Sequence, residues 1–331
     1  MKMNESIPIG DIQGLGKIVQ FGDSLVYWHN PNSTLLALGV YNLTTRSNNE
    51  EVWTWNGGQM LGADFLIVNS TLYFAFAGQG NYPVYNGSII YSSDLKNWKT
   101  LLTSNTMTIE SLCEYNGQLI YGGYRSDGAG TYSIIDTSQN GREVRLFTGT
   151  PSRSDDVTFL AHFNSTMVVG GDAFPQNMIY TNSGLNWTDG YTGTDLEPPY
   201  VMGWSFNYED RNGVIWMADS TYSTGLNERS GLASFDGSSY HSFPMPYSLF
   251  SIAHGAVGGT MGTWNSSLTN FPGHGIVFLY NTDGSLGKPI MSSNSDGSVM
   301  ALEYSPNIGI FYGLYYEISD HSVYLIQGGS A

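Results

Sequence analysis

A turn-plus-apolar motif that returns at a nearly constant interval, abundant glycine and aromatic residues beside few charges, and the lack of any amphipathic helical run predict an all-β fold. The motif begins at Asn32, Asn69, Asn116, Asn164, Asn212, His254 and Asn307, in steps of 37, 47, 48, 48, 42 and 53 residues. Each copy joins turn-forming residues to a short apolar run, as in Asn69-Ser-Thr-Leu-Tyr-Phe-Ala-Phe76, which is how a hairpin turn feeds a buried strand. A period of about 46 residues is that of a propeller blade, so seven copies predict a seven-bladed β-propeller of four-stranded antiparallel blades. The copy at His254 is weak, which leaves six blades as the alternative.

Taken in order, residues 1–16 carry Gly10, Gly14 and Gly16 and no strand pattern, and read as an N-terminal arm with room for local pairing. Residues 17–331 read as one propeller domain, because the repeat runs on without a linker. Lys17–Phe21 reads as a strand. The second repeat gives the clearest blade, with strands at Asp64–Val68, Thr71–Phe76, Ser88–Tyr91 and Trp98–Leu102. The last repeat offers Val299–Tyr304, Gly309–Leu314 and Val323–Gln327 and no fourth strand. The N-terminal strand is expected to complete this last blade and close the ring. Closure would hide two strand edges that otherwise invite aggregation.

The segment Ser92-Ser-Asp-Leu-Lys-Asn-Trp98, between the third and fourth strands of the clearest blade, resembles the Asp-box hairpin of sialidase-type propellers and a hairpin common in five-bladed glycosidases. Thr181-Asn-Ser-Gly-Leu-Asn-Trp187 is a degenerate second copy. In both the Trp comes one residue early, and the glycine is absent from the first and displaced in the second. The Asp box is a structural turn far from the site in those families, so the resemblance implies a propeller fold and no activity. Composition adds a second likeness: rich in Asn, Ser, Thr, Tyr and Gly and poor in Lys and Glu, the chain resembles proteins on the cell surfaces or viruses of thermoacidophilic archaea. That resemblance implies an extracellular, cell-surface or virion location, and a mature ectodomain separated from its signal and anchor.

With 28 Asp and Glu against 12 Lys and Arg, the net charge is −16. Phosphate backbones and anionic membranes would be repelled, so nucleic acid is not an expected partner. No apolar run is long enough to span a bilayer, and Met1–Gly10 lacks the apolar core of a secretory signal. Cys113 is the lone cysteine and reads as a small buried hydrophobe on an inner strand. Asn-x-Ser/Thr triplets begin at Asn4, Asn32, Asn42, Asn69, Asn86, Asn164, Asn186 and Asn265, glycan acceptors if the protein is exported. Those at Asn32, Asn69 and Asn164 also have a turn-forming reason to exist.

Propellers bind ligands on the face built by the loops joining second to third strands and by those leading into the next inner strand. Tyr82, Tyr85, Phe174, Tyr222, Trp264 and Phe271 fall in such loops beside Arg125, Asp127 and Glu317. Stacking rings next to hydrogen-bonding groups suit a glycan, and equally a protein surface. Asp172, Asp219 and Glu228 are the acids from which a glycosidase-like pair could be drawn, although the distance between carboxylates is not written in a sequence. Acids are also expected where inner strands begin, at Asp23, Asp64, Glu110, Asp156 and Asp296. Asp64, Glu110 and Asp156 are the candidates to hold Ca²⁺, with turn acids bonded to backbone amides as the alternative. His162 and His254 are expected on inner strands as packed core residues. No zinc spacing and no nucleophile elbow is present.

An extracellular recognition or adhesion module, binding glycan or surface protein through its upper loops, accounts for these features best. A carbohydrate-active enzyme using an upper acid pair is the alternative, and an intracellular interaction scaffold the second alternative.

Overall fold

The computed structural model describes residues 6–8, 17–32, 34–56, 60–78, 86–115, 117–127, 130–137, 144–145, 157–163, 166–171, 179–181, 188–189, 208–219, 230–237, 239–245, 247–261, 273–319 and 321–329. The regular elements among them are all strands. Two compact units are formed, one from Met1–Pro31, Leu38–Glu50 and Ser205–Ala331, the other from Asn32–Ala37 and Glu51–Trp204.

The chain opens with β1 (Ser6–Pro8), β2 (Ile18–Phe21), β3 (Ser24–Asn32), β4 (Leu35–Asn42) and β5 (Asn48–Asn56), of which β2 to β5 make a sheet in chain order. The second unit holds three antiparallel sheets of four, also in chain order. They are β6 (Met60–Val68), β7 (Thr71–Gly78), β8 (Asn86–Ser92) and β9 (Lys99–Ser104); β10 (Ser111–Tyr115), β11 (Gln118–Asp127), β12 (Gly130–Thr137) and β13 (Val144–Arg145); and β14 (Val157–Phe163), β15 (Thr166–Gly171), β16 (Ile179–Thr181) and β17 (Thr188–Asp189). Returning to the first unit, β18 (Tyr208–Asp210), β19 (Ile215–Asp219), β20 (Ser230–Phe235) and β21 (Tyr240–Met245) form a fifth sheet. The last strands are β22 (Ser248–Ala253), β23 (Ala256–Thr260), β24 (His274–Tyr280), β25 (Leu286–Ser305), β26 (Ile310–Glu317) and β27 (Ser322–Gly328). With β1 they make one sheet of seven, in the order β1-β27-β26-β25-β24-β23-β22.

The described sheets therefore differ from seven separate blades of four strands: five have four strands and the sixth has seven. The physical reason is β25, which runs for 20 residues. It pairs with β24 as far as Asp296, opposite His274, and with β26 from Gly297 onward. A strand that passes from one ladder to the next without a turn fuses the two. The strand on the free side of β27 is β1, with Ser6 opposite Ile326 and Pro8 opposite Tyr324. It comes from the segment read as an arm, whereas the Lys17–Phe21 segment supplies β2, at the edge of the first sheet.

The repeated turn motif has a backbone cause. Asn69 and Ser70, Asn212 and Gly213, and His254 and Gly255 all have positive φ, the pair of left-handed residues that a two-residue hairpin demands. Asn tolerates that conformation better than most side chains, which explains its place at the start of the motif. His254 accordingly sits in a turn, where the sequence pointed to an inner strand; it is exposed and lies flat on Tyr304, ring centroids 4.1 Å apart. His162 does lie on β14 but is exposed, 3.9 Å from Glu114 and edge-on to Tyr115. The apolar runs that follow the turns supply the cores, with Leu72, Phe74 and Phe76 fully buried on β7 and Leu314 on β26. Cys113 is buried on β10, where burial pushes its thiol well above the ordinary range and keeps it unreactive.

Candidate functional site

One end of the seven-stranded sheet is stitched together by backbone bonds that cross between connections. Here β23 ends at Thr260, β24 begins at His274, β25 passes Asp296 and β26 ends at Glu317. Met261 N donates to His274 O at 2.9 Å, Gly297 N to Gly273 O at 3.0 Å, and Ile318 N to Asp296 O at 3.0 Å. Thr260 Oγ1 adds a bond to Gly273 O at 3.3 Å. Both feet of the 262–272 connection are therefore held, as is the turn after β26.

Tyr315 stands beneath this end as a buried post. Its hydroxyl donates to Ser295 O at 2.8 Å, with Ser295 Oγ at 3.1 Å. Ser293 Oγ accepts from Gly275 N at 2.8 Å and donates to Ser295 O at 2.7 Å. Space for the ring is made by two glycines: a Cβ on Gly275 would lie 2.5 Å from it, and a Cβ on Gly297 would overlap the Tyr316 carbonyl oxygen. Burial raises the Tyr315 pKa; its Ser293 and Ser295 bonds pull the other way, and the nearby Glu317 and Asp296 charges raise it further.

Above the post lie polar groups and one apolar side chain. His274 Nδ1 and Asp296 Oδ1 are 3.7 Å apart, with side chains 49% and 64% exposed, so the pair meets solvent. Tyr316 OH and His321 Nδ1 share a bond of 2.9 Å, and Ser319 Oγ donates to Glu317 Oε1 at 2.8 Å. Met261 is exposed, while Phe250 and Met300 pack under Tyr316 and Ile318. The arrangement offers the exposed Asp296 carboxylate, the half-buried Glu317 and two exposed imidazoles on strand ends tied to one another.

Of the ligand-binding residues anticipated from the sequence, Glu317 belongs to this end. Arg125 and Asp127 are placed on β11, opposite Tyr132 and Gly130, and Asp219 on β19, opposite Gly231. Tyr82, Tyr85, Asp172, Phe174, Tyr222, Glu228, Trp264 and Phe271 lie outside the described residues, as does Asp156. Ser295 and Tyr315 were not anticipated as site residues, because contacts made across strands leave no mark in the local pattern; His274 and His321 end stretches, 264–274 and 317–321, whose length and irregularity in the sequence point to the ligand face, without standing out as individual contacts.

Asp64 is buried on β6, and its Oδ2 accepts from Leu112 N at 2.8 Å. Glu110 precedes β10, its amide bonded to Gly122 O at 2.9 Å. Asp23 is exposed in the turn after β2, so it does not begin an inner strand. No group of three or more His, Cys, Asp or Glu able to hold a metal occurs among the described residues. Asp94 organises the hairpin between β8 and β9 by accepting from Lys96 N at 2.9 Å and from Asn97 N and Asn97 Nδ2 at 2.8 Å each. Those bonds hold its carboxyl well below the usual carboxylate range. Among the glycan acceptors, Asn69 is exposed in its turn, and Asn42 Oδ1 accepts from Thr44 N and Thr45 N at 3.0 and 2.7 Å. Asn32 ends β3 and Asn86 begins β8, while Asn164, Asn186 and Asn265 fall outside the described residues. Among the described residues no helix is long and apolar enough to cross a membrane.

No protein-family model and no curated protein sequence matches the chain. Solved structures do. The β-propeller domain of the Trilobed protease from Pyrococcus furiosus, described as having an open velcro topology, is 14% identical with a TM-score of 0.52 over 95% of this chain and 93% of that one. A chain of the Mitotic Checkpoint Complex is 12% identical with a TM-score of 0.61 over 98% and 91%. The RRP9 WD40 repeats are 8% identical with a TM-score of 0.57 over 98% and 100%. At such identities the likeness concerns architecture, and it shows that this chain has the β-propeller fold.

Proposed function

We propose that this chain is a seven-bladed recognition propeller that works outside the cell, on a cell surface or virion, and binds a protein or glycan through the end of the seven-stranded sheet that carries His274, Asp296 and Glu317. The observation that carries the proposal is the stitching of that end, where bonds from Met261, Gly297 and Ile318 fix the strand ends to one another before any ligand arrives. A preorganised backbone loses little entropy on binding. A role in protein contact is supported further by the kind of propeller this chain is similar to, one of which is part of the Mitotic Checkpoint Complex. The blade count follows if the seven-stranded sheet is taken as two blades meeting within β25, the second completed by β1. Export is supported by the acceptor triplets, of which Asn69 is exposed in a hairpin turn.

The test is to incubate the protein with a panel of cell-envelope polysaccharides and purified envelope proteins, and to record what is retained and whether reducing ends are released. Retention that is lost on Asp296→Ala or Glu317→Ala, with the melting curve unchanged, supports recognition at this end. Release that grows with time would instead make the chain a carbohydrate-active enzyme, and retention untouched by both substitutions would move the site elsewhere. A glycan on Asn69 of the native protein would establish passage across a membrane; its absence together with that of glycans at the other acceptors would favour the scaffold reading.

A further inference from the structure

Every ladder in the described sheets but one joins strands that are consecutive in the chain. The exception is β1 on β27, which brings the two ends of the chain together. A consecutive pair is kept in register by the connection between its strands, whereas β1 is tethered to β2, a member of another sheet. The pairing itself is short. Strand β27 matches β26 at seven positions and β1 at three, and the last of the three is Pro8, which has no N–H to give the ladder.

The edge that β1 covers also differs from the other outer edges. The fourth strand of each four-stranded sheet carries a charge or a proline of the kind that keeps a free edge from pairing with another chain: Glu50 and Glu51 on β5, Lys99 on β9, Arg145 on β13, Asp189 on β17 and Pro244 on β21. Strand β27, Ser322–Gly328, has neither. Its Val323, Leu325 and Ile326 are buried instead, so this edge depends on a strand laid along it.

We propose that β1 is an exchangeable strand whose other acceptor is a second copy of this chain: Ser6–Pro8 of one molecule lies on Tyr324–Ile326 of the next, in the register found within the single chain, and the second molecule returns its own β1. Exchange keeps the ladder and alters only the course of residues 9–17, which span at most about 30 Å when extended. Each chain is both donor and acceptor, so a reciprocal pair closes into a dimer with no edge left open. A tethered strand meets its own edge at an effective concentration of about 1 mM. Exchange is therefore scarce in dilute solution and grows where copies are crowded, and it does not depend on what the stitched end binds.

The test links register partners across molecules. A Pro8→Cys chain and a Tyr324→Cys chain, each also carrying Cys113→Ser, are mixed as folded proteins and oxidised, and the linked peptides are identified by mass spectrometry. At about 0.1 mM the link between positions 8 and 324 should reach roughly a tenth of the yield given by both substitutions in one chain. It should also exceed, by roughly tenfold, the link from Pro8→Cys to Thr100→Cys, an exposed position on the β9 edge. The chain with both substitutions, once oxidised, has its strand locked at home; it should stay monomeric in light scattering at about 1 mM, where its reduced form gives dimers. Ser6→Cys with Ile326→Cys, the pair at the other end of the ladder, repeats the test if Tyr324→Cys lowers the melting temperature. An 8–324 link no more frequent than the 8–100 link, a reduced chain that is monomeric throughout, or a locked chain that dimerises as much as the reduced one would each overturn the proposal.

Discussion

Gly275 and Gly297 are needed for what they lack, because the Tyr315 ring and the Tyr316 carbonyl occupy the space a methyl group would take. Overpacking of this kind costs about 1–3 kcal/mol, so Gly297→Ala should lower the urea midpoint and weaken retention of any ligand at the stitched end. Tyr315→Phe is the milder control, losing one buried bond to Ser295 O, worth about 1 kcal/mol, while keeping the ring. A Gly297→Ala protein as stable as the parent would show that the post does not support this end. Asp64 invites the same treatment. Removing its carboxylate leaves the buried Leu112 amide without that acceptor, and Asp64→Ala should cost about 1–3 kcal/mol by urea unfolding. Adding calcium and then chelator to the parent protein decides between the two roles we considered for this acid: a midpoint that follows calcium would favour a metal, and an unmoved one the bond to Leu112.

Three ladder pairs hold β1 on β27. Without them the β27 edge would present unpaired backbone groups, and exposed edges recruit other chains. Deleting residues 1–8 should therefore lower the melting temperature and produce concentration-dependent dimers or larger species in light scattering; a monomer of unchanged stability would show that β1 is dispensable. The turn motif made most strands legible in the sequence, since two left-handed residues followed by an apolar run leave a local signature at Asn69, Asn212 and His254. The clearest blade was read to within a few residues at β6 and β7 for that reason. What escaped was non-local. Ser292–Gly297 has the composition of a turn, yet β25 continues through it because its backbone is claimed in succession by β24 and β26. Likewise β1 has no strand pattern of its own, and pairs because β27 offers an open edge. The stitched end was only half legible: Glu317 and Asp296 stood out as acids, but the bonds from Met261, Gly297 and Ile318 that bring them together depend on pairing registers that no single segment encodes.

The whole molecule carries a net charge of −16 at neutral pH, so self-repulsion opposes the compact state there and added salt should raise the urea midpoint at pH 7. Lowering the pH relieves the same repulsion until the bonded carboxylates begin to protonate. Asp94 and Asp283 are held below their ordinary value of 3.8 by bonds within their turns, so the stability they contribute is present above that value and lost as pH falls further. Glu303 acts in the opposite sense. Its folded value of about 7 lies above its ordinary 4.5, so its contribution is complete below 4.5 and lost as pH rises through about 7, a difference on the order of 3 kcal/mol. The two limbs leave a stability maximum at about pH 4–5, below the usual optimum of globular proteins. Urea unfolding at a series of pH values should show that maximum, and Glu303→Gln should flatten the alkaline limb while leaving the acid limb as it was. An alkaline limb that survives the substitution would assign the loss to general charge repulsion, which high salt would then remove.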